Sequence, residues 1–147
     1  MGVEMSISKV GVVGGGTMGA GIAEVSAKSG CDTIVVEIDA SLAEIAQQKL
    51  EKSTEKAVAR EKMTESDRES LLSKLSFTTS YEELADRDLV IEAVIESPEI
   101  KAKVFSTLDQ IVQPGGILAS NTSSISIGEI ATATNRPEQV LGMHFFN

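Results

Sequence analysis

Three features of this sequence have the residue types and spacing to do chemistry: a glycine-rich turn, an acid that follows it, and a single histidine, His144. The turn lies in Lys9-Val10-Gly11-Val12-Val13-Gly14-Gly15-Gly16-Thr17-Met18-Gly19-Ala20-Gly21-Ile22-Ala23, where an apolar run breaks into glycines and a helical pattern follows at once. This is G-x-G-x-x-G between a predicted strand and a predicted helix, the setting in which it carries meaning. Gly14 permits the tight turn, Gly16 lets backbone approach a pyrophosphate, and Gly19 lets the helix pack on the strand. The unpaired N–H groups that open the helix, at Thr17 and Met18 onward, then face the phosphates. The pattern points to a dinucleotide.

A dinucleotide also needs an acid at the end of the second strand to accept hydrogen bonds from the adenine ribose. Glu37 and Asp39 both stand there. Glu37 is favoured, because Asp39 is placed to open the next helix as its N-cap. Either acid repels a 2′-phosphate, so NAD is expected over NADP. An adenosyl-dependent methyltransferase also uses a glycine turn and an acid, but it has no pyrophosphate to cradle. A P-loop is excluded, because no Gly-Lys-Ser/Thr follows the turn.

His144 is the side chain whose ordinary pKa suits taking a proton from an alcohol near neutral pH. The hydroxyls of Ser123 and Ser124 are candidates for a site, and equally for turn and helix-cap duty. Lys49, Lys52, Lys56 and Arg60 recur on one helix face. That stripe reads either as an anion-binding face or as a solvated one paired with Glu51, Glu55 and Glu61.

The elements that must position these groups alternate, which predicts an α/β fold of the Rossmann type: a doubly wound, mostly parallel sheet with helices on both faces. Strands are expected near Val10–Val13, Thr33–Ile38, Leu75–Thr78, Leu89–Val94, Ile117–Ser120 and Val140–His144. Leu89–Val94 reads as a continuous apolar strand buried on both sides. Helices are expected from Met18 to Ser29, closed by Gly30; from Ser41 to Arg60; from Thr64–Asp67 through Leu72; from Pro98 to Ile111; and over Ile127–Ala133. In an open α/β sheet ligands collect at the carboxyl ends of strands. Glu96, Asn121 and His144 fall at the ends of strands four, five and six, so three polar groups are expected to converge.

The chain of 147 residues suits one domain with a substantial core. Its net charge of −9 argues against nucleic acid and an anionic membrane surface as partners. One cysteine, Cys31, excludes an internal disulfide and a cysteine-based zinc cluster, and no metal is expected. It reads as a small, partly buried thiol. No apolar run is long enough to span a membrane, and no signal peptide is visible, so a cytoplasmic protein is expected. Met1-Gly2-Val3-Glu4-Met5-Ser6 fits a loose myristoylation pattern, beside which a frayed start is the plainer reading.

Four segments in order resemble one family. They are Gly14-Gly15-Gly16-Thr17-Met18-Gly19-Ala20-Gly21-Ile22-Ala23, Leu89-Val90-Ile91-Glu92-Ala93-Val94-Ile95-Glu96, Ala119-Ser120-Asn121-Thr122-Ser123-Ser124-Ile125-Ser126-Ile127 and Gly142-Met143-His144-Phe145-Phe146-Asn147. From Ser8 to Asn147 the chain is similar to the NAD-binding domain of the L-3-hydroxyacyl-CoA dehydrogenases. The resemblance implies that His144 is the general base and Ser123 binds the reacting oxygen. It implies that Glu96, Lys101 and Asn121 contact the cofactor, and that Ser53 and Arg60 meet the phosphorylated nucleotide of the acyl-CoA substrate.

The family also has a glutamate about a dozen residues beyond the histidine, a later active-site asparagine, and a helical second domain that covers the acyl chain and forms the dimer interface. None of these is expected within the present residues, because the sequence stops directly after the sixth strand. The reading is therefore the cofactor half of a dehydrogenase. The alternative is a non-catalytic NAD-binding module that docks a partner chain.

Overall fold

The computed structural model describes residues 6–146. The myristoylation pattern and Asn147, the last residue of the fourth motif, fall wholly or partly outside them. Six strands form one sheet, β1 (Lys9–Val13), β2 (Asp32–Val36), β3 (Leu75–Thr78), β4 (Leu89–Glu92), β5 (Ile117–Ser120) and β6 (Val140–Gly142). Their order is β3-β2-β1-β4-β5-β6 and every pair is parallel. This is the Rossmann order, with the reversal between β1 and β4 opening a crevice at the strands' carboxyl ends.

Five helices connect the strands: α1 (Thr17–Lys28), α2 (Ala40–Ala59), α3 (Glu65–Ser73), α4 (Pro98–Ile111) and α5 (Ile127–Ala131). The period-two alternation of the strands divides the core into two layers. Val12, Val35, Ile91 and Ala119 face α1 and α2 with Ile22, Ala23 and Leu50. Val13, Val36, Val90 and Leu118 face the other way, onto Val104, Phe105 and Leu108 of α4 and Ile130 of α5. Each Val, Leu, Ile or Phe among them, fully buried, contributes about 1.5–3 kcal/mol. The sheet is thus a rigid platform covered on both faces.

Local chemistry sets the helix ends. Asp39 caps α2, its carboxylate accepting from Leu42 N at 2.8 Å. Thr64 and Asp67 form a reciprocal capping box on α3. Gly30 follows α1 with φ +92°, the left-handed turn that favours glycine. The start of the chain is held before β1: Ser8 N and Lys9 N donate to the Asp88 carboxylate at 3.0 and 2.9 Å. Cys31 is partly buried, as its position before β2 suggested.

Three strands end earlier than their sequence predicts. β4 stops at Glu92 because that side chain turns back to accept from Val94 N at 2.8 Å. β6 stops at Gly142 because Phe145 N bonds a side chain instead of a neighbouring strand. β2 stops at Val36, leaving Ile38 80% exposed. Helix α5 likewise ends at Ala131, two residues short of the expected Ala133. Two 3-10 turns, Tyr81–Leu84 and Pro137–Gln139, carry no periodic signal and are additions to the predicted order.

Candidate active site

The glycine turn has the shape its spacing implied. Gly14 has φ +98°, and Gly19 lies so close to the Gly14 carbonyl that a Cβ there would overlap it. This contact seats α1 against the end of β1. Gly16 is the reverse case: a Cβ added there would meet nothing within 4 Å. The space beside Gly16 opens onto the start of α1, which has no side-chain cap and no acid in its first turn. Its N–H groups and positive dipole end are therefore available to an anion. Glu37 lies beside Gly15, half-buried, with its backbone N–H donated to Thr78 O at 3.0 Å. Open space, an uncapped helix terminus and an acid stand together, an arrangement that a dinucleotide would fit.

A second part of the site lies at the ends of β4, β5 and β6. A cleft of about 310 Å³ is lined by Met18, Glu96, Lys101, Asn121, Ser123 and His144, among others. Ser123 is exposed and faces this space. His144 is also exposed, and its ring meets Phe146 edge-on with centroids 4.4 Å apart. Asn121 accepts from Phe145 N at 2.8 Å, so its amide oxygen fixes the segment that carries His144. Met143 N donates to Ser120 O at 2.9 Å and anchors the same segment just ahead of His144.

Glu96 brings negative charge to this cleft. One oxygen accepts from Thr122 Oγ1 at 2.9 Å and Ser124 Oγ at 2.7 Å; the other lies 3.2 Å from Lys101 Nζ. Desolvation alone would raise its pKa, but the hydroxyls of Ser124 and Thr122 and the Lys101 ammonium together lower it to about 2. Neither Ser123 nor Ser124 caps a helix, contrary to one reading of the sequence. That duty falls to Ser126, which accepts from Glu129 N at 3.4 Å.

Lys101 borders the cleft from beneath, bound into the core. Its side chain is 1% exposed, and it donates to Glu92 at 2.5 Å and Val94 O at 3.4 Å besides pairing with Glu96. An ammonium has three donors, and all three are taken. Glu92, fully buried, is the residue that sequence reasoning passed over by reading Leu89–Val94 as apolar. A carboxylate inside a buried strand requires a cation, and Lys101 on the next helix was the available signal.

The basic stripe forms a separate, open groove of about 420 Å³ lined by Lys49, Lys52, Ser53, Lys56, Arg60 and Lys62. Of the two readings of the stripe, the pairing with Glu51, Glu55 and Glu61 is not made among the described residues; Glu51 instead accepts from Gln47 at 3.1 Å. Ser53 donates to Glu24 at 3.0 Å. The groove lies on α2, outside the cleft.

The profile described as "3-hydroxyacyl-CoA dehydrogenase, NAD binding domain" matches residues 9–147. The chain belongs to this family. Within it, a 3-hydroxybutyryl-CoA dehydrogenase of Mycobacterium tuberculosis is 49% identical over 143 residues, which is 97% of this chain and 50% of the relative. A probable 3-hydroxybutyryl-CoA dehydrogenase of Deinococcus radiodurans is 47% identical, across 95% of this chain and 50% of its own. The crystal structure of the (S)-3-hydroxybutyryl-CoA dehydrogenase of Ralstonia eutropha superposes with a TM-score of 0.93 at 42% identity, covering 97% of this chain and 50% of that one. The chain thus spans about half the length of these relatives, and the cofactor of its family's domain is NAD. Among the described residues no helix is long and apolar enough to cross a membrane.

Proposed function

We propose that residues 1–147 are the cofactor-binding half of an enzyme that interconverts (3S)-3-hydroxyacyl-CoA and 3-oxoacyl-CoA. The observation that carries this reading is one cleft lined together by Ser123, His144 and Glu96, with Met18 of α1 beside them. Bound NAD would supply the hydride acceptor that oxidation of a secondary alcohol requires. Gly14, Gly16, Thr17, Met18 and Gly19 hold its pyrophosphate end and Glu37 its adenine ribose. Glu96 and Asn121 border the nicotinamide end, with Lys101 behind Glu96.

His144 takes the proton from the substrate hydroxyl as the carbonyl forms, and returns it in the reverse direction. Ser123 donates a hydrogen bond to the same oxygen and steadies the charge that develops there. Ser53 and Arg60, with Lys49, Lys52 and Lys56 around them, receive the phosphorylated nucleotide of CoA, since four cations on one open face attract a polyanion. The remaining half of the protein carries a helical domain that covers the acyl chain and forms a dimer, and the enzyme acts in the cytoplasm.

The test joins residues 1–147 to the remaining half of the M. tuberculosis relative and follows acetoacetyl-CoA-dependent oxidation of NADH. The reading expects turnover that falls by about 10²–10⁴ in His144→Gln, the range of a lost general base. Turnover unchanged in that variant would overturn the assignment.

A further inference from the structure

Glu92 connects three elements at the centre of the sheet. Its side chain is 0% exposed, and it accepts from Ser120 Oγ on β5 at 2.6 Å, from Val94 N at 2.8 Å and from Lys101 Nζ on α4 at 2.5 Å. Ser120 is its register partner on β5, so the sheet itself fixes that hydroxyl against the carboxylate. Lys101 then reaches outward to Glu96, and Glu96 holds Thr122 and Ser124 on the loop that presents Asn121 and Ser123. One continuous chain of charge-assisted bonds therefore runs from the core to the rim of the cleft.

Stability alone gives no reason for this arrangement. A buried ion pair loses much of its attraction to desolvation, and well-packed apolar residues of like volume are often neutral or stabilising in its place. What the pair adds is an oriented ammonium beside Glu96. Without Glu92, Lys101 would be a buried cation anchored on Glu96 and one carbonyl, free to draw Glu96 inward.

We propose that Glu92 is a positioning residue: acting through Lys101, it holds Glu96 at the rim of the cleft against the nicotinamide end of the cofactor. The inference rests on the cofactor assignment made above. It differs from a structural role in one measurable way, because Glu96 shares its cleft with Ser123 and His144, while the phosphates and adenine ribose lie at Gly16 and Glu37. Loss of Glu92 is felt at one end of the dinucleotide only.

The experiment titrates the folded chain with NADH and, separately, with ADP, which has the adenosine and diphosphate groups and no nicotinamide. Glu92→Gln keeps the shape and removes the charge. It is expected to weaken NADH by about tenfold, the scale of one charge-assisted hydrogen bond, and to leave ADP unchanged. The double variant Glu92→Gln with Lys101→Met removes both charges, and is expected to show the same split where the single variant unfolds in a thermal melt. Equal losses for NADH and ADP in a folded variant, or no loss for either, would overturn the proposal. A wild-type chain that binds ADP and not NADH would instead overturn the cofactor assignment, and the role of Glu92 with it.

Discussion

The side-chain oxygen of Asn121 accepts the backbone N–H of Phe145 at 2.8 Å, and this one bond ties the loop after β5 to the segment that carries His144. The two residues are 24 apart in sequence and meet where β6 has left the sheet. Asn121 does with its side chain what a strand neighbour would otherwise do with its backbone. Asn121→Ala is expected to speed hydrogen exchange at the Phe145 amide by about tenfold, as one part-buried bond is lost. Asn121→Asp keeps the acceptor and is expected to keep the protection. Equal exchange in wild type and Asn121→Ala would mean that another contact holds the segment.

The two glycines at the ends of the turn are expected to fail differently. Gly16 has open space where a Cβ would go, so Gly16→Val is expected to cost no more than about 0.5–2 kcal/mol, the scale of a poorer N-cap at the start of α1. It is also expected to lose at least about tenfold in NADH affinity, because its side chain occupies the phosphate space. At Gly19 a methyl group overlaps the Gly14 carbonyl, so Gly19→Ala is expected to cost about 1–3 kcal/mol in denaturant unfolding. A Gly16→Val chain that binds NADH normally would remove the phosphate space from the account.

Acid is expected to destabilise the fold through carboxylates whose pKa values lie below their ordinary ones. Asp109 is one, its oxygens accepting from Asn135 N and Arg136 Nε at 2.8 Å each; burial opposes the shift, and these bonds with the Arg136 charge outweigh it. Asp86 is another, lowered to about 2 by hydrogen bonds from Arg87 and Lys9. A depressed folded pKa gives stability that is full above the unfolded value and is lost as pH falls toward the folded one. With Glu96 and Asp86 both near 2, the loss is expected to run from about pH 4.5 down to about pH 2. Asp109→Asn is expected to lower stability at pH 7 by about 1–3 kcal/mol and to make the acid limb shallower. Denaturant midpoints at pH 7, 4 and 3 check both; an unchanged limb would contradict the role given to Asp109.

The fold was legible because its signals are local and repeated. β3 and β5 have the bounds that the sequence predicts, Leu75–Thr78 and Ile117–Ser120, since turn residues and charged flanks bracket each apolar run. Gly14 and Gly19 were legible for the same reason: a left-handed turn and a helix contact each demand the smallest residue. What the sequence hid is what depends on pairing across the fold. Glu92 looks like a strand residue until Lys101 and Ser120 are seen against it. The early ends of β4 and β6 follow from side chains turning back on the backbone, which no periodicity reveals. Ser126, not its neighbours, caps α5 because the loop from Asn121 to Ile125 is organised by Glu96 and Thr122 first.

The most direct test of the central claim is a titration of residues 1–147 with NADH and with NADPH. If Gly16, the start of α1 and Glu37 form a dinucleotide site, NADH binds saturably at one site per chain. NADPH binds at least about tenfold more weakly, because its 2′-phosphate meets the Glu37 carboxylate. Glu37→Ala narrows that gap. A folded chain that binds neither nucleotide, or binds both equally with Glu37 in place, would contradict the account.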